Sequence, residues 1–188
     1  MKYIASWSGG KDSTATIILA HENNEPLDTI IFCEVMFSEQ ITGEIPEKID
    51  FVRNVAKPLF ESWGYEVIIL HHNKTFLDNF YHVRGKRSKW CGKRLGFPMA
   101  GKCYMNDAKR EPIKKFYREI KGEYTDYVGI AIDEKERLER MAARNCKQVS
   151  LLAKYGYTEQ MAKKKCEEYG LLSPVYEFSK RGGSSRPA

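Results

Sequence analysis

The chain lacks the features of membrane proteins and of disulfide-stabilised secreted proteins. No apolar run approaches the ~20 residues that span a bilayer, and the N-terminus does not have the layout of a signal peptide. The five cysteines are odd in number, irregularly spaced and without a Cys-x-x-Cys pair. They therefore do not indicate a disulfide framework. We expect a cytoplasmic protein that does not associate with a membrane.

The composition is that of an ordinary globular protein. Of the 188 residues, 42% are hydrophobic and 30% are charged, which is enough for a sizeable core. We predict one domain over residues 1–178 and a flexible tail over residues 179–188, where glycine and serine are frequent.

Short apolar runs alternate with helical patterns along most of the chain. The predicted strands are residues 3–7, 27–33, 65–70 and 126–132, and the predicted helices are residues 13–20, 45–63, 75–82, 112–121, 133–144 and 158–169. We expect Pro58 to kink or split the second of these helices.

This alternation predicts an α/β fold with a doubly wound, mostly parallel sheet of about five strands and helices on both faces. The first strand should be central, and the C-terminal part should be helical. An insertion at about residues 75–121 separates the third and fourth strands, and insertions of that length are usually functional or disordered.

The most informative motif follows the first predicted strand directly. Adjacent glycines there let backbone N–H groups turn toward a ligand, and the start of the next helix adds unpaired donors and partial positive charge. Two hydroxyls and an ammonium complete a set of hydrogen-bond donors that suits phosphate oxygens. A glycine-rich turn that binds no ligand would have the same sequence pattern. We predict that nucleotide phosphates bind at Ser8, Gly9, Gly10, Lys11, Asp12 and Ser13.

The motif differs from the ordinary P-loop and resembles another one. A P-loop needs Ser or Thr directly after its lysine and a glycine at the position that Ser6 occupies here. The order Ser-Gly-Gly-x-Asp-Ser instead resembles the PP-loop of the ATP pyrophosphatases. That superfamily includes phosphoadenosine-phosphosulfate (PAPS) reductases and tRNA thiolation enzymes. Residues 103–113, 129–137 and 170–178 are similar to stretches of PAPS-reductase-like proteins.

The resemblance implies roles for particular residues. Lys11, Asp12 and Arg137 would be catalytic, and Lys109, Arg110 and Arg137 would face the substrate's phosphate or sulfate. Gly129 and the strand-end backbone at Phe32, Cys33 and Glu34 would contact the nucleotide, the latter at its adenine edge.

Each of these assignments has a plainer alternative. Arg137 could belong to a charged helix face with pairs such as Glu136–Arg140, and Lys109 could precede a proline-started helix on the surface. This chain also has Ala131 where the PAPS reductases often have arginine, and no cysteine follows Cys166. The thiol that a reductase needs therefore has no assigned position.

Three functions remain open at this point. The first is an enzyme that cleaves ATP between its α- and β-phosphates, adenylates a substrate and releases pyrophosphate. The second is a sulfonucleotide reductase or sulfur-transfer enzyme. The third is a nucleotide- or nucleic-acid-binding protein without catalysis.

The cofactor expectation follows from the first function. We expect ATP or a related adenine nucleotide with Mg²⁺, and Asp12 is a candidate carboxylate for the metal. Cys91 and Cys103 could ligate an iron–sulfur cluster, but the usual full set of thiolates is not evident. Cys146 and Cys166 are expected to be buried. The sequence therefore does not predict an iron–sulfur cluster or any other resident metal site.

The net charge of +6 is concentrated in one place. The segment from Arg84 to Arg94 contains six basic residues and no acidic one. It could be a solvated loop, a cover for a phosphorylated substrate or a nucleic-acid contact in which Trp90 stacks on a base.

Overall fold

A five-stranded parallel sheet forms the centre of the fold. The computed structural model describes residues 1–96, 104–144 and 147–178. In order along the chain, the strands are β1 (Lys2–Trp7), β2 (Thr29–Glu34), β3 (Glu66–His71), β4 (Tyr124–Tyr127) and β5 (Gln148–Val149). Their order across the sheet is β3-β2-β1-β4-β5, and every neighbouring pair is parallel. The predicted fold class, including the central first strand, is confirmed.

Helices connect the strands and continue after them. They are α1 (Lys11–Glu22), α2 (Pro46–Asp50), α3 (Lys57–Ser62), α4 (Phe76–Tyr81), α5 (Tyr104–Glu119), α6 (Lys135–Ala143), α7 (Leu151–Lys154), α8 (Glu159–Glu168) and α9 (Val175–Phe178). Within the described residues, none of them is both long and apolar enough to cross a bilayer.

Neighbouring side chains of β1 show that helices cover both faces of the sheet. The indole Nε1 of Trp7 donates to Thr14 Oγ1 of α1 at 2.9 Å. The preceding Ser6 lies 3.0 Å, Oγ to OH, from Tyr117 of α5. Because successive strand side chains point to opposite faces, α1 and α5 lie on opposite sides of the sheet.

The main apolar core lies on the α1 side. Trp7 packs against Phe32 and Phe60 with ring centroids 5.4 and 5.2 Å apart, and α1 is buried from Ser13 to Ala20. Helices α7 and α8 pack on α1 from outside. The start of α1 is therefore fixed between the sheet and the C-terminal helices.

Two helical regions that contain proline differ from the helices predicted there. The run from Pro46 to Ser62 is not split at Pro58: a π-helical segment, Phe51–Ala56, precedes the proline and joins α2 to α3. Helix α5 begins at Tyr104 rather than at Pro112, which lies inside it. Pro112 cannot donate to the carbonyl of Ala108, and that oxygen accepts from Cys33 Sγ at 3.6 Å instead.

The sequence analysis predicted that the fourth strand ends later than β4 does, and it did not locate β5. Strand β4 ends at Tyr127, and the buried Ile130 and Ala131 lie in a loop. Cys103, Cys146 and the predicted tail at residues 179–188 lie outside the described residues. The assignment of residues 1–178 to one domain stays a prediction.

Candidate functional site

The candidate site lies where the order of the strands reverses. The chain leaves β1 through Ser8, Gly9 and Gly10 and enters α1 at Lys11. β1 pairs with β2 on one side and with β4 on the other. The carboxyl ends of β1 and β4 thus flank the crevice in which open parallel sheets bind ligands.

Gly9 is required by both conformation and space. Its φ is +74°, in the left-handed region that side chains disfavour. A Cβ there would lie 3.2 Å from Lys48 Cε and 3.5 Å from Val52 Cγ2. Gly10, the N-cap of α1, has an extended conformation that other residues also adopt. Of these two glycines, only Gly9 has a backbone conformation that requires glycine.

Gly129 is required because two backbones touch. A Cβ on Gly129 would lie 2.5 Å from Ser13 N, 2.6 Å from Asp12 C and 2.8 Å from Ser13 Cα. No side chain could move aside, since all three atoms belong to the backbone of α1. The loop after β4 thus packs on the first turn of α1, although the nucleotide contact predicted for Gly129 stays a prediction.

The hydroxyls of Ser8 and Ser13 hold the turn together. Ser8 N donates to Ser13 Oγ at 3.1 Å, and Ser13 Oγ donates to the carbonyl of Gly10 at 3.1 Å. The two hydroxyl oxygens are 3.0 Å apart. Either hydroxyl can donate in that third bond.

Lys11 is held by two carboxylates. Its Nζ lies 2.8 Å from each oxygen of Asp12 and 2.7 Å from Glu159 Oε2. Burial alone would lower the pKa of Lys11, but the hydrogen bonds and charges of Asp12 and Glu159 raise it. Burial raises the pKa of Asp12 against the effect of Lys11. The ammonium group of Lys11 is thus already paired with two carboxylates.

The C-terminal helices also contact the backbone of Lys11. Its N–H donates to the hydroxyl of Tyr176 in α9 at 2.9 Å, and its carbonyl accepts from Cys166 Sγ of α8 at 3.2 Å. Burial raises the pKa of Cys166 to about 12. This thiol is therefore a buried hydrogen-bond donor at neutral pH.

A cavity of about 430 Å³ opens between the turn and α6. Its lining consists of Ser6, Ser8, Ser13, Val128, Gly129, Ile130, Arg137, Arg140, Met141, Arg144 and Gln148. Ser8 and Ser13 of the predicted phosphate site thus share a cavity with Gly129 and Arg137.

Two arginines of α6 and Arg144, which caps its C-terminus, contribute to this cavity. Arg137, Arg140 and Arg144 follow the i, i+3, i+7 spacing of one helix face. Arg137 pairs with Glu134. Arg140 Nε donates to the backbone carbonyl of Glu136 at 3.0 Å. The charged-face alternative had instead suggested a pair with the carboxylate of Glu136. Arg140 and Arg144 were not predicted as site residues, although their spacing was a usable signal.

A second group of charges lies on the other side of Gly9. The carboxylate of Glu44 pairs with Lys48 at 2.9 Å and with Lys109 at 2.7 Å. Burial raises the pKa of Glu44, but the two ammonium groups outweigh burial and lower it. Burial together with the charge of Lys109 lowers the pKa of Lys48, although Glu44 opposes this. Lys48 was missed by the sequence analysis.

The residues predicted at the adenine edge lie at the end of β2. Pairing of β1 with β2 ends at Phe32, so β2 extends past β1 by Cys33 and Glu34. Glu34 is fully buried, and its Oε2 lies 2.8 Å from Arg53 Nη2 and 3.0 Å from His71 Nε2. Their nucleotide contact stays a prediction.

The two basic residues predicted to face substrate lie in different surroundings. Lys109 pairs with the buried Glu44, whereas Arg110 is exposed. The structure thus brings only Lys109 to the end of β2, and the substrate role of both residues stays a prediction.

Comparison with known proteins identifies a similar fold. No protein-family model matches the chain, and a search of curated proteins finds no match. Among solved structures, the chain is similar to the U34-tRNA thiolase NcsA from Methanococcus maripaludis with its [4Fe-4S] cluster. The TM-score is 0.56 and the identity 16%, and the alignment covers 91% of this chain and 58% of the thiolase.

The likeness is one of fold, and this chain spans little more than half of the thiolase. The resemblance of the Ser8–Ser13 turn to the PP-loop superfamily stays a prediction. The closer likeness to PAPS reductases stays a prediction.

The cofactor expectation needs a correction. The sequence analysis expected an adenine nucleotide with Mg²⁺ and no iron–sulfur cluster, but the thiolase of this fold carries a [4Fe-4S] cluster. The expectation of no iron–sulfur cluster was therefore wrong, whereas the adenine nucleotide and Mg²⁺ stay predictions. In the part of the chain that the structure describes, no group of three His, Cys, Asp or Glu side chains could hold a metal ion. Those residues do not fit such a cluster.

Proposed function

We propose that this chain is an enzyme that activates a substrate with an adenine nucleotide and uses the activated position for sulfur transfer. The observation that carries the proposal is the cavity at the strand reversal. There the Ser8–Ser13 turn, the start of α1 and three arginines from α6 and its C-cap meet around one space. The fold shared with a U34-tRNA thiolase supports sulfur transfer as the outcome.

The geometry suits a reaction that releases pyrophosphate. An acceptor oxygen would attack the α-phosphorus of the nucleotide, and the bond between the α- and β-phosphates would break. Pyrophosphate then leaves with the bonding electrons. The hydroxyls of Ser8 and Ser13 and the N-terminus of α1 would bind the phosphates of the leaving group. A sulfur nucleophile would later displace AMP from the activated acceptor.

Arg137 faces the same cavity from the opposite side. A guanidinium binds phosphate oxygens through two parallel N–H bonds, and an ammonium cannot reproduce that geometry. Arg137 already pairs with Glu134, which orients its side chain. We infer that it contacts the nucleotide phosphates during activation, with Arg140 and Arg144 beside it.

The two buried thiols, Cys33 and Cys166, do not favour the reductase alternative. Cys166 donates to the carbonyl of Lys11 and has a pKa of about 12. Cys33 is buried and has a pKa of about 11 because burial disfavours its thiolate. Only a thiolate is an effective nucleophile, so neither group is suited to attack a sulfonucleotide.

The proposal can be tested by combining Lys11→Ala with Ser13→Ala. Charge-assisted hydrogen bonds contribute about 1.5–3 kcal/mol each, so the double variant should bind ATP more than tenfold more weakly. Affinity is measured with a fluorescent ATP analogue, and pyrophosphate release is measured in parallel.

The matched control is the double variant Lys57→Ala and Ser62→Ala on α3. It removes the same two side-chain types from positions outside the cavity and should bind ATP like the wild type. Unchanged ATP affinity in the Lys11/Ser13 variant would contradict the assignment of the turn to phosphates.

A further inference from the structure

The basic segment from Arg84 to Arg94, which we name the basic finger, is folded. An antiparallel bridge joins Val83 to Arg94. Arg84 N donates to the carbonyl of Lys93 at 3.0 Å, and Gly92 N donates to the carbonyl of Arg84 at 3.0 Å. The finger therefore presents its side chains from a closed loop of defined shape.

The cations of the finger are not neutralised by neighbouring acids. Elsewhere on the surface, lysines pair with glutamates one turn away, as in Lys57–Glu61 and Lys163–Glu167. Within residues 1–96, 104–144 and 147–178, no carboxylate pairs with any of the six basic side chains of the finger. This concentration of like charge suits an anionic partner with several charges.

Trp90 adds an aromatic surface to this charge. The side chain is half exposed, and the ammonium groups of Lys89 and Lys93 lie 5.8 and 5.0 Å from the centre of its ring. Arg94 lies over the exposed Tyr81 in the same way, at 5.5 Å. A nucleotide could stack its base on these aromatic rings while the neighbouring cations contact its phosphates.

A concave surface of the finger includes Ser88, whose Oγ accepts a hydrogen bond from Trp90 N at 3.1 Å. A cavity of about 600 Å³ is lined by His82, Arg84, Gly85, Lys86, Arg87, Ser88 and Leu95. Three of these residues are cationic, and Lys86 and Arg87 are exposed.

From these observations we propose that the basic finger binds single-stranded nucleic acid. Phosphates would lie along Arg84, Lys86 and Arg87, and a base would stack on Trp90, since stacking platforms next to cationic grooves are how single strands are held. An acidic polypeptide fits less well, because the face of an aromatic ring is negative and repels carboxylates. The proposal is independent of the chemistry at the Ser8–Ser13 turn.

The test uses fluorescence anisotropy with labelled single-stranded RNA and DNA dodecamers of the same mixed sequence. Lys86→Ala with Arg87→Ala should weaken binding at least tenfold at 50 mM salt. The slope of log affinity against log salt should become shallower by about 1.4, since each neutralised phosphate contributes about 0.7 for single strands.

Trp90 is tested separately. Trp90→Ala should weaken binding at least fivefold without changing the salt slope, and Trp90→Phe should restore most of the affinity, because stacking on an aromatic side chain is independent of salt bridges. Melting temperatures should be unchanged, since the substituted side chains are exposed.

The control is Lys163→Ala with Lys164→Ala on α8, which removes the same charge from another exposed surface. Binding of RNA, DNA or both with these variant effects supports the proposal, and any preference identifies the natural polymer. The proposal is overturned if neither probe binds at 50 mM salt. It is also overturned if the α8 control weakens binding equally, if Trp90→Ala has no effect, or if polyglutamate competes as well as RNA.

Discussion

Replacing Gly129 by alanine tests whether the loop after β4 positions the start of α1. The new Cβ would lie 2.5–2.8 Å from three backbone atoms of Asp12 and Ser13, whereas unstrained carbon contacts are about 3.5–4.0 Å. The loop or the helix would have to retreat by on the order of 1 Å. Forced overpacking of this kind typically costs about 1–3 kcal/mol.

The expected result is therefore a double effect. The free energy of unfolding, measured by urea denaturation, should fall by about 1–3 kcal/mol, and ATP should bind more weakly because the first turn of α1 has moved. Gly85→Ala is the control, since its Cβ would meet no atom within 4 Å. If Gly129→Ala unfolds at the wild-type urea concentration and binds ATP normally, the close approach does not position the turn.

Two more predictions concern the cavity and the buried acid behind it. Arg140→Ala should reduce pyrophosphate release at least fivefold, whereas the control Arg118→Ala should not. Both guanidinium groups donate to a carbonyl of their own helix, but only that of Arg140 lines the cavity. Burial raises the pKa of Asp126, so its carboxylate destabilises the folded state above that raised pKa, and this penalty disappears as the pH falls through it. Above that raised pKa, Asp126→Asn should therefore be more stable than the wild type, with an advantage in urea unfolding that shrinks as the pH falls toward the ordinary aspartate pKa; a constant difference would refute this.

The fold was predictable because parallel strands covered on both faces are continuous apolar runs. The strand at residues 27–33 and the observed β2 (Thr29–Glu34) differ by a residue or two at each end. The same signal failed where a loop is buried: Ile130 and Ala131 are apolar because the loop packs on α1, not because they lie in the sheet. β5 has only two residues, too few for any periodicity to show.

The candidate site was predictable only in part. The turn was visible because glycines, hydroxyls and a lysine are adjacent in the sequence. Lys48 was not visible, because its partner Glu44 stands four residues away, as in an ordinary surface pair on a helix. Burial distinguishes this pair from an ordinary surface pair, because Lys48 and Glu44 are only 3% and 5% exposed. A buried pair depends on a neighbour that is distant in sequence, here Lys109.

The contacts at the start of α1 determine how a phosphate could bind there. The N–H of Lys11 already donates to Tyr176, and its ammonium already pairs with Asp12 and Glu159. Binding would therefore exchange one acceptor for another, and such exchanges contribute little when both acceptors are neutral. The hydroxyl of Tyr176 is neutral and a phosphate oxygen is charged, so that exchange favours the phosphate. At the ammonium the competing acceptors are themselves carboxylates, so the gain there is smaller than at the N–H, and the arginines of α6 across the cavity add to the attraction.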